Sequence, residues 1–184
     1  HYMEFGEIKG FDASLSADAG VIVLGNINAE RFDINKNMVE HISGVFGESA
    51  TLDRFHGFIP GWEIPRMTTG LIAKGWALNT EYFAEVMHAL RDDLSYASVV
   101  DAMLDIQPKA DKRHTTAIKR LCTAFLKLLF PHVQCPEDID KKDFENYCLK
   151  PALEMRGVIY KQLCIIDAKE YAVPDKAIPE IKCK

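Results

Sequence analysis

Apolar residues recur at helical spacing through much of the second half of the chain. Phe83, Val86 and Leu90 lie on one helix face at spacings of three and four, and Asn79 before them is a residue type that favours the N-cap. The pattern predicts one helix that begins after Asn79 and another that runs through 118–129. The second helix carries the clearest apolar stripe of the chain, formed by Ile118, Leu121, Cys122, Phe125, Leu128 and Leu129.

Two further helices are expected on either side of this stripe. One covers 96–106 and stops before Pro108, and the other covers about 140–166. Pro151 should break or kink the latter, because its ring removes a backbone donor and clashes with the preceding turn. A small bundle of about four helices is therefore predicted, with the tail after residue 166 serving as a linker.

The first third of the chain has a different pattern. Residues 6–20 alternate in polarity around Lys9-Gly10, which indicates a hairpin or an ordered loop, and 21–24 are apolar at every position, which predicts a buried strand of a parallel sheet. A short amphipathic helix is expected over 34–46. "TLDRFHGFIPGWEIPRM", at 51–67, fits no period and predicts an ordered loop between structural units. The expected fold is an α/β portion followed by a mainly α-helical bundle, predominantly helical overall, with the junction near 66–78.

Composition excludes some classes of function. A net charge of −5 argues against general coating of nucleic acid, and no apolar stretch approaches the length that spans a bilayer. Five cysteines without a C-x-x-C pair predict reduced thiols of a cytoplasmic protein and no metal site. The net charge does not exclude one local basic face, because no acidic residue occurs between Asp111 and Glu137. That basic face is formed by Lys112, Arg113, Lys119, Arg120 and Lys127.

Three sequence segments resemble parts of AAA+ ATPases. "SADAGVIVLGNIN" resembles the sensor-1 strand, with Asn26 at the sensor position, and "LDRFHGFIPGWEIPRM" resembles the arginine-finger segment, with Arg54 where "SRFD" carries it in MCM helicases. "KRHTTAIKRLCTAFLKLLFP" resembles the lid helix, with Arg113 as its sensor-2 arginine. More narrowly, 1–166 resembles the Lon-related, MCM-like AAA+ ATPase family of BREX phage-defence systems, also described as an ATP-dependent Lon-type protease.

The resemblance implies a domain layout and a nucleotide chemistry. Residues 1–66 would be the C-terminal part of the AAA+ α/β subdomain, 67–166 the helical lid, and 167–184 a linker towards a downstream domain. A neutral amide at Asn26 can hold the attacking water beside the γ-phosphate, since it both donates and accepts. The Arg54 guanidinium matches phosphate oxygens and would be lent by a neighbouring subunit. The bland alternatives are that Asn26 only turns the chain after Gly25, and that Arg54 pairs with Asp53 or Glu48.

Other residues compete for these roles. Arg66 is the second choice for the finger, and Arg120 competes with Arg113 for the sensor-2 role, although a solvated basic helix face explains both of the latter. Lys9 lies in the hairpin that, in MCM-like relatives, projects into a central channel and touches DNA; an exposed lysine alone indicates little. Phe58 and Trp62 are expected to pack the loop rather than to stack on bases.

Essential parts of an ATPase or a protease are missing from the sequence. There is no G-x-x-x-x-G-K-[ST] loop, which the resemblance places before His1, and a Ser–Lys dyad would lie after the last residue. The intact protein is therefore expected to bind ATP and Mg²⁺ and to form a ring, in hexameric form, whereas this piece alone should hydrolyse neither ATP nor peptide bonds and bind no cofactor. The alternative function is a stand-alone helical adaptor that binds DNA or protein through the basic face.

Overall fold

The computed structural model describes residues 7–9, 14–16, 20–25, 33, 35–38 and 48–184. Within these ranges the chain is mainly helical, which confirms the predominantly helical fold class. The elements in chain order are β1 (Glu7–Lys9), β2 (Ser14–Ser16), α1 (Ser49–Leu52), α2 (Thr80–Leu90), α3 (Ser95–Met103), β3 (Leu104–Ile106), α4 (Lys112–Leu129), α5 (Lys141–Phe144), α6 (Lys150–Ile166), α7 (Ala168–Tyr171) and β4 (Ile181–Cys183).

The N-terminal predictions have mixed outcomes. β1 and β2 pair antiparallel with Glu7 opposite Ser16, so the hairpin is confirmed. The buried strand predicted over 21–24 is wrong: Val21, Ile22, Val23 and Leu24 are 42–92% exposed, and 20–25 form no regular element. A buried strand needs neighbours that satisfy its backbone and cover its side chains, and the described residues provide none here. The helix predicted over 34–46 lies mostly outside the described residues.

The core of the helical bundle lies where α3, α4 and α6 meet. Ile118, Cys122 and Leu126 of α4 are fully buried, as the apolar stripe predicts, whereas Leu128 and Leu129 at the end of that stripe are 43% and 48% exposed. The helix starts follow capping rules: the Asn79 side chain accepts from two backbone N–H groups of α2. Asp111 caps α4 in the same way, and its carboxylate accepts the N–H groups of the first turn.

The end of α3 differs from the prediction. The helix stops at Met103, and residues 104–106 form a strand that pairs antiparallel with β4, Leu104 opposite Cys183. This pairing overrides the local helical pattern, since it satisfies backbone groups from two distant parts of the chain. The tail that reads as a linker in the sequence contains α7 and β4, and it buries Tyr171 and Ile181.

Pro151 produces a local defect rather than a break. A π-helical turn, Glu145–Leu149, joins α5 to α6, and Pro151 occupies the first turn of α6. Proline has no N–H to donate to the preceding turn, so a widened turn before it avoids a lost bond and a steric clash. The predicted helix over 140–166 is therefore confirmed with a π-turn at the position of the expected kink.

Candidate functional site

A short loop that contains Arg54 is held against α6 by a buried arginine. We call residues 53–58 the docked loop. Arg156 of α6 is completely buried, and its Nη1 donates to the carbonyl oxygens of Asp53 at 3.1 Å and Phe55 at 2.5 Å. Its Nη2 donates to Oδ1 of Asp53 at 2.7 Å. Arg156 thus holds the backbone on both sides of Arg54.

His114 orients the same guanidinium from α4. Nε of Arg156 donates to Nδ1 of His114 at 2.8 Å, and Nε2 of His114 lies 3.0 Å from the carbonyl oxygen of Lys176. Because Nδ1 accepts, the imidazole is neutral and carries its proton on Nε2, where it donates to that carbonyl. Burial lowers the pKa of His114, and the positive charge of Arg156 lowers it further.

Asp53 connects the buried arginine to an exposed one. Its Oδ1 accepts from Arg156, and its Oδ2 lies 2.5 Å from Nη1 of Arg113. The side chain of Asp53 is 4% exposed and that of Arg113 is 44% exposed, so one carboxylate spans the boundary between core and solvent. Burial lowers the pKa of Arg156, and the hydrogen bond and the charge of Asp53 oppose that shift. Two arginines therefore share one buried counter-ion.

Apolar packing fixes the rest of the docked loop. The N–H of Phe58 donates to the carbonyl oxygen of Met155 at 3.2 Å, which places the loop directly on α6. A Cβ built on Gly57 would lie 2.8 Å from Cβ of Met155, closer than real side chains approach. Glycine is required here because of this close backbone approach. Leu52, at the end of α1, joins a small core with Ile159, Leu163 and Tyr171.

Arg54 itself lies at the edge of this support. Its side chain is partly buried, and its Nη1 donates to the carbonyl oxygen of Ala50 in α1. One alternative was that Arg54 pairs with Asp53. In the structure Asp53 forms its ion pairs with Arg113 and Arg156 instead. The structure therefore places Arg54 beside the buried cluster and partly open to solvent.

The remaining candidates do not converge on one place. Arg66 lies in an exposed segment, 61–82, and Lys9 lies at the end of β1. Arg120 is exposed, and its Nη1 lies 3.0 Å from Nε2 of His56 in the docked loop. Asn26 falls outside the described residues. Of the six candidates, Arg54, Arg113 and Arg120 are brought to the docked loop or to its partners.

The basic face of α4 is largely engaged within the chain. Lys119 pairs with Asp101 at 2.8 Å, and Arg113 and Arg120 contact the docked loop. Nζ of Lys127 donates to the carbonyl oxygens of Leu90 at 2.6 Å and Arg91 at 2.9 Å, which caps the end of α2. A phosphate backbone would have to displace these contacts. This geometry disfavours the basic face as a ready-made DNA surface.

Other chemistry finds little support in the described part of the chain. No group of three or more His, Cys, Asp or Glu side chains is placed there to hold a metal ion. All five cysteines lie in the 48–184 range and are free, and burial raises the pKa of Cys122 and Cys148 to about 12. Such thiols are poor nucleophiles because the thiolate is the reactive form. None of the described helices combines the length and the apolar character needed to cross a bilayer.

Comparison with known proteins identifies the family. The family model described as "Lon-like protease BrxL-like, ATPase domain" matches residues 1–176. The chain belongs to this family. Two curated relatives are each named Lon-like protease BrxL: one from Escherichia coli O9:H4 (strain HS), 28% identical over 172 residues, and one from Bacillus cereus (strain H3081.97), 28% identical over 175 residues. Each alignment covers 92% of this chain but only 24% or 25% of the relative, so the chain spans about a quarter of their length.

Within this BrxL-like ATPase domain, Arg156 and His114 are site residues that were not predicted from the sequence. A signal for Arg156 was present: Ala152, Arg156, Ile159 and Leu163 are spaced along one face of α6, and all four are buried. A charged residue in an apolar stripe must find buried partners, because an unpaired charge in a core is costly. His114 gave no such signal, since it follows Lys112 and Arg113 and reads as part of the basic face.

Proposed function

We propose that this chain is the sensor, arginine-finger and lid portion of an ATP-dependent AAA+ ring protein that acts in phage defence in association with DNA. Residues 1–66 are assigned to the end of the α/β subdomain, 67–166 to the lid, and 167–184 to the connection to a downstream domain. ATP and Mg²⁺ are the ligands of the intact protein, and the ring is a hexamer. The observation that carries the proposal is the fixed backbone on both sides of Arg54, in a chain whose family model is an ATPase domain.

The chemistry of phosphoryl transfer explains why such fixation matters. ATP hydrolysis passes through a loose transition state, so the protein mainly positions the water and stabilises charge on the phosphoryl oxygens. A guanidinium can do this only if its position is set before the reaction, since preorganised charge costs no rearrangement at the transition state. Arg156 fixes the backbone on both sides of Arg54, which supports this role, and Arg113 is assigned as a second cation from the lid. Asn26 is assigned to the water on the subunit's own side.

Substitution of Arg54 tests the assignment in the full-length protein. Arg54→Ala should leave ATP binding nearly intact and reduce hydrolysis by about 10³-fold or more, the usual effect of a lost arginine finger. Arg66→Ala is the matched control, because Arg66 is the competing finger candidate in the same sequence segment. A collapse with Arg66→Ala and not with Arg54→Ala would transfer the finger role to Arg66. Equal loss of binding and hydrolysis would count against either finger.

Mixing two defective variants tests whether the finger acts on the neighbouring subunit. Asn26→Ala and Arg54→Ala are each expected to be inactive alone. In rings formed from equal amounts of both, about one quarter of the subunit interfaces regain an intact pair, because a heterologous ring interface joins different surfaces of adjacent subunits. ATPase activity should rise accordingly. No recovery in rings shown to contain both variants would mean that both residues serve one subunit, contrary to the proposal.

A further inference from the structure

We propose that Arg156 is a positioning residue for Arg54, so that the lid helix α6 sets the place of the arginine finger. The inference rests on the proposed function, because it needs Arg54 to act in hydrolysis. It assigns a role to a residue that is completely buried. Arg156 acts through the backbone of the docked loop.

The first support is the geometry of the guanidinium fork. Nη1 of Arg156 bridges the carbonyl oxygens of Asp53 and Phe55, the two residues that flank Arg54. Nη2 holds the Asp53 side chain, and Nε is tied to His114. Four of the five N–H donors of an arginine are thereby used, and all of them bear on the loop or on the residue that orients the fork. Because Arg54 lies between two residues that Arg156 holds, its backbone has little freedom to move.

The second support is the choice of residue type. A lysine carries the same charge, but its single ammonium group cannot donate at once to two carbonyl oxygens, a carboxylate and an imidazole with the same fixed spacing. Arg156 is completely buried, and an apolar residue of similar volume can often replace a buried ion pair without loss of stability. A forked cation at this place is explained by the backbone that it orients.

The third support is that α6 carries the loop in a second way. Phe58 donates to the carbonyl oxygen of Met155, the residue before Arg156, and Gly57 packs onto the Met155 side chain. The docked loop is therefore attached to α6 at Met155 as well as at Arg156. Phe58 makes a hydrogen bond to Met155, and Gly57 makes a packing contact with it. Any displacement of this helix displaces the backbone that carries Arg54.

Steady-state ATPase measurements on the full-length protein test the inference. Arg156→Lys should lower kcat by about 10-fold to 100-fold, because small misplacements of a catalytic group carry such costs. The KM for ATP should stay within about 3-fold of wild type, because a finger acts on transition-state charge rather than on ground-state binding. In an Arg54→Ala background, Arg156→Lys should cause no further loss of kcat, because the group through which it acts is already absent.

A second variant keeps the test independent of the buried charge. Gly57→Ala displaces the loop from Met155 without changing any ionisable group, so it should also lower kcat and should also be silent in the Arg54→Ala background. Gly61→Ala is its control, since a Cβ there meets nothing within 4 Å. If Arg156→Lys fails to fold, Gly57→Ala decides the outcome.

The two proposals fail in different ways. If Arg54→Ala abolishes hydrolysis but the effects of Arg156→Lys or Gly57→Ala multiply with it, the positioning role is wrong and the finger assignment stands. If Arg54→Ala leaves hydrolysis unchanged, the finger assignment is wrong, and the positioning role falls with it. A rise in KM without a fall in kcat for Arg156→Lys also overturns the positioning role, because it indicates altered ground-state binding of ATP.

Discussion

Two neighbouring segments with similar composition have opposite environments. The docked loop, 53–58, and the exposed segment, 61–82, follow each other in the chain, and each contains an arginine and aromatic residues. In the docked loop every side chain is buried or partly buried. In the exposed segment Trp62, Met67 and Trp76 are 40%, 79% and 105% exposed, and two 3₁₀ turns, Gly61–Glu63 and Thr69–Leu71, are its regular structure before α2 begins at Thr80.

The difference shows what fixes a loop that has no secondary structure of its own. Loop carbonyl groups must find donors, and in the docked loop Arg156 supplies them from inside the core. Apolar residues alone do not achieve this, because the exposed segment is at least as rich in them. The backbone around Arg54 in the docked loop is therefore held in place. Within the described residues, no comparable buried donor binds the backbone around Arg66 in the exposed segment.

Removal of the buried donor should have the largest effect on stability. Arg156→Met leaves the buried Asp53 carboxylate with Arg113, which is partly exposed, as its remaining ion-pair partner. We therefore expect a loss of about 3–5 kcal/mol in the free energy of unfolding. Arg66→Met in the exposed segment should change it by no more than about 0.5 kcal/mol. Urea unfolding of the 184-residue chain measures both. Similar small losses for the two variants would show that the docked loop is not held by Arg156.

A methyl group added to each segment gives a smaller contrast without any change of charge. Gly57→Ala places its Cβ against Met155 and should cost about 1–3 kcal/mol, the usual range for overpacking. Gly61→Ala meets open space and should be neutral or stabilising by up to about 1 kcal/mol, because alanine restricts the unfolded chain. Thermal or urea unfolding of the pair checks the sign of each change. A neutral Gly57→Ala would mean that the loop can shift away from α6 at little cost.

The parts of the fold that the sequence predicts well are those set by local pattern. The apolar stripe of α4, the N-cap at Asn79 and the β1–β2 hairpin all depend on residues close together in the chain. The change from helix to strand at Leu104 depends on pairing with residues 181–183, about 80 positions away. No local pattern contains that partner, so the strand could not be predicted.

The candidate site shows the same division. Arg113 was selected by resemblance, and its connection through Asp53 to the buried Arg156 was not foreseen, because 60 positions separate Asp53 from Arg113 and 103 separate it from Arg156. The sequence allowed Asp53 as a partner of the adjacent Arg54, the nearest cation. The structure pairs it instead with two cations brought by α4 and α6, since helices packed side by side place distant residues together.

Lowering the pH should produce the smallest effect on the free energy of unfolding, and this effect should come from the residues that hold the docked loop. His114 accepts a hydrogen bond from Arg156, and burial and the charge of Arg156 lower the pKa of His114. The exposed segment contains no histidine. The unfolded chain, with a pKa of about 6.5, binds this proton more readily than the folded chain. The stabilisation is therefore complete above about pH 6.5 and is lost as the pH falls from there through the lowered folded pKa.

His56, in the docked loop, contributes with the same sign, since burial and then the charges of Arg120 and Arg156 lower its pKa. Urea unfolding at about pH 7.5 and pH 5.5 should show a loss of stability that shrinks in His114→Gln, because the variant has no proton to gain at this position. His88→Gln, on the exposed side of α2, should keep the wild-type loss. If His114→Gln retains the full loss of stability, the neutral imidazole beside Arg156 is not what makes the docked loop sensitive to acid. The difference between the two segments must then be explained by the Asp53 ion pairs and the packing on Met155 alone.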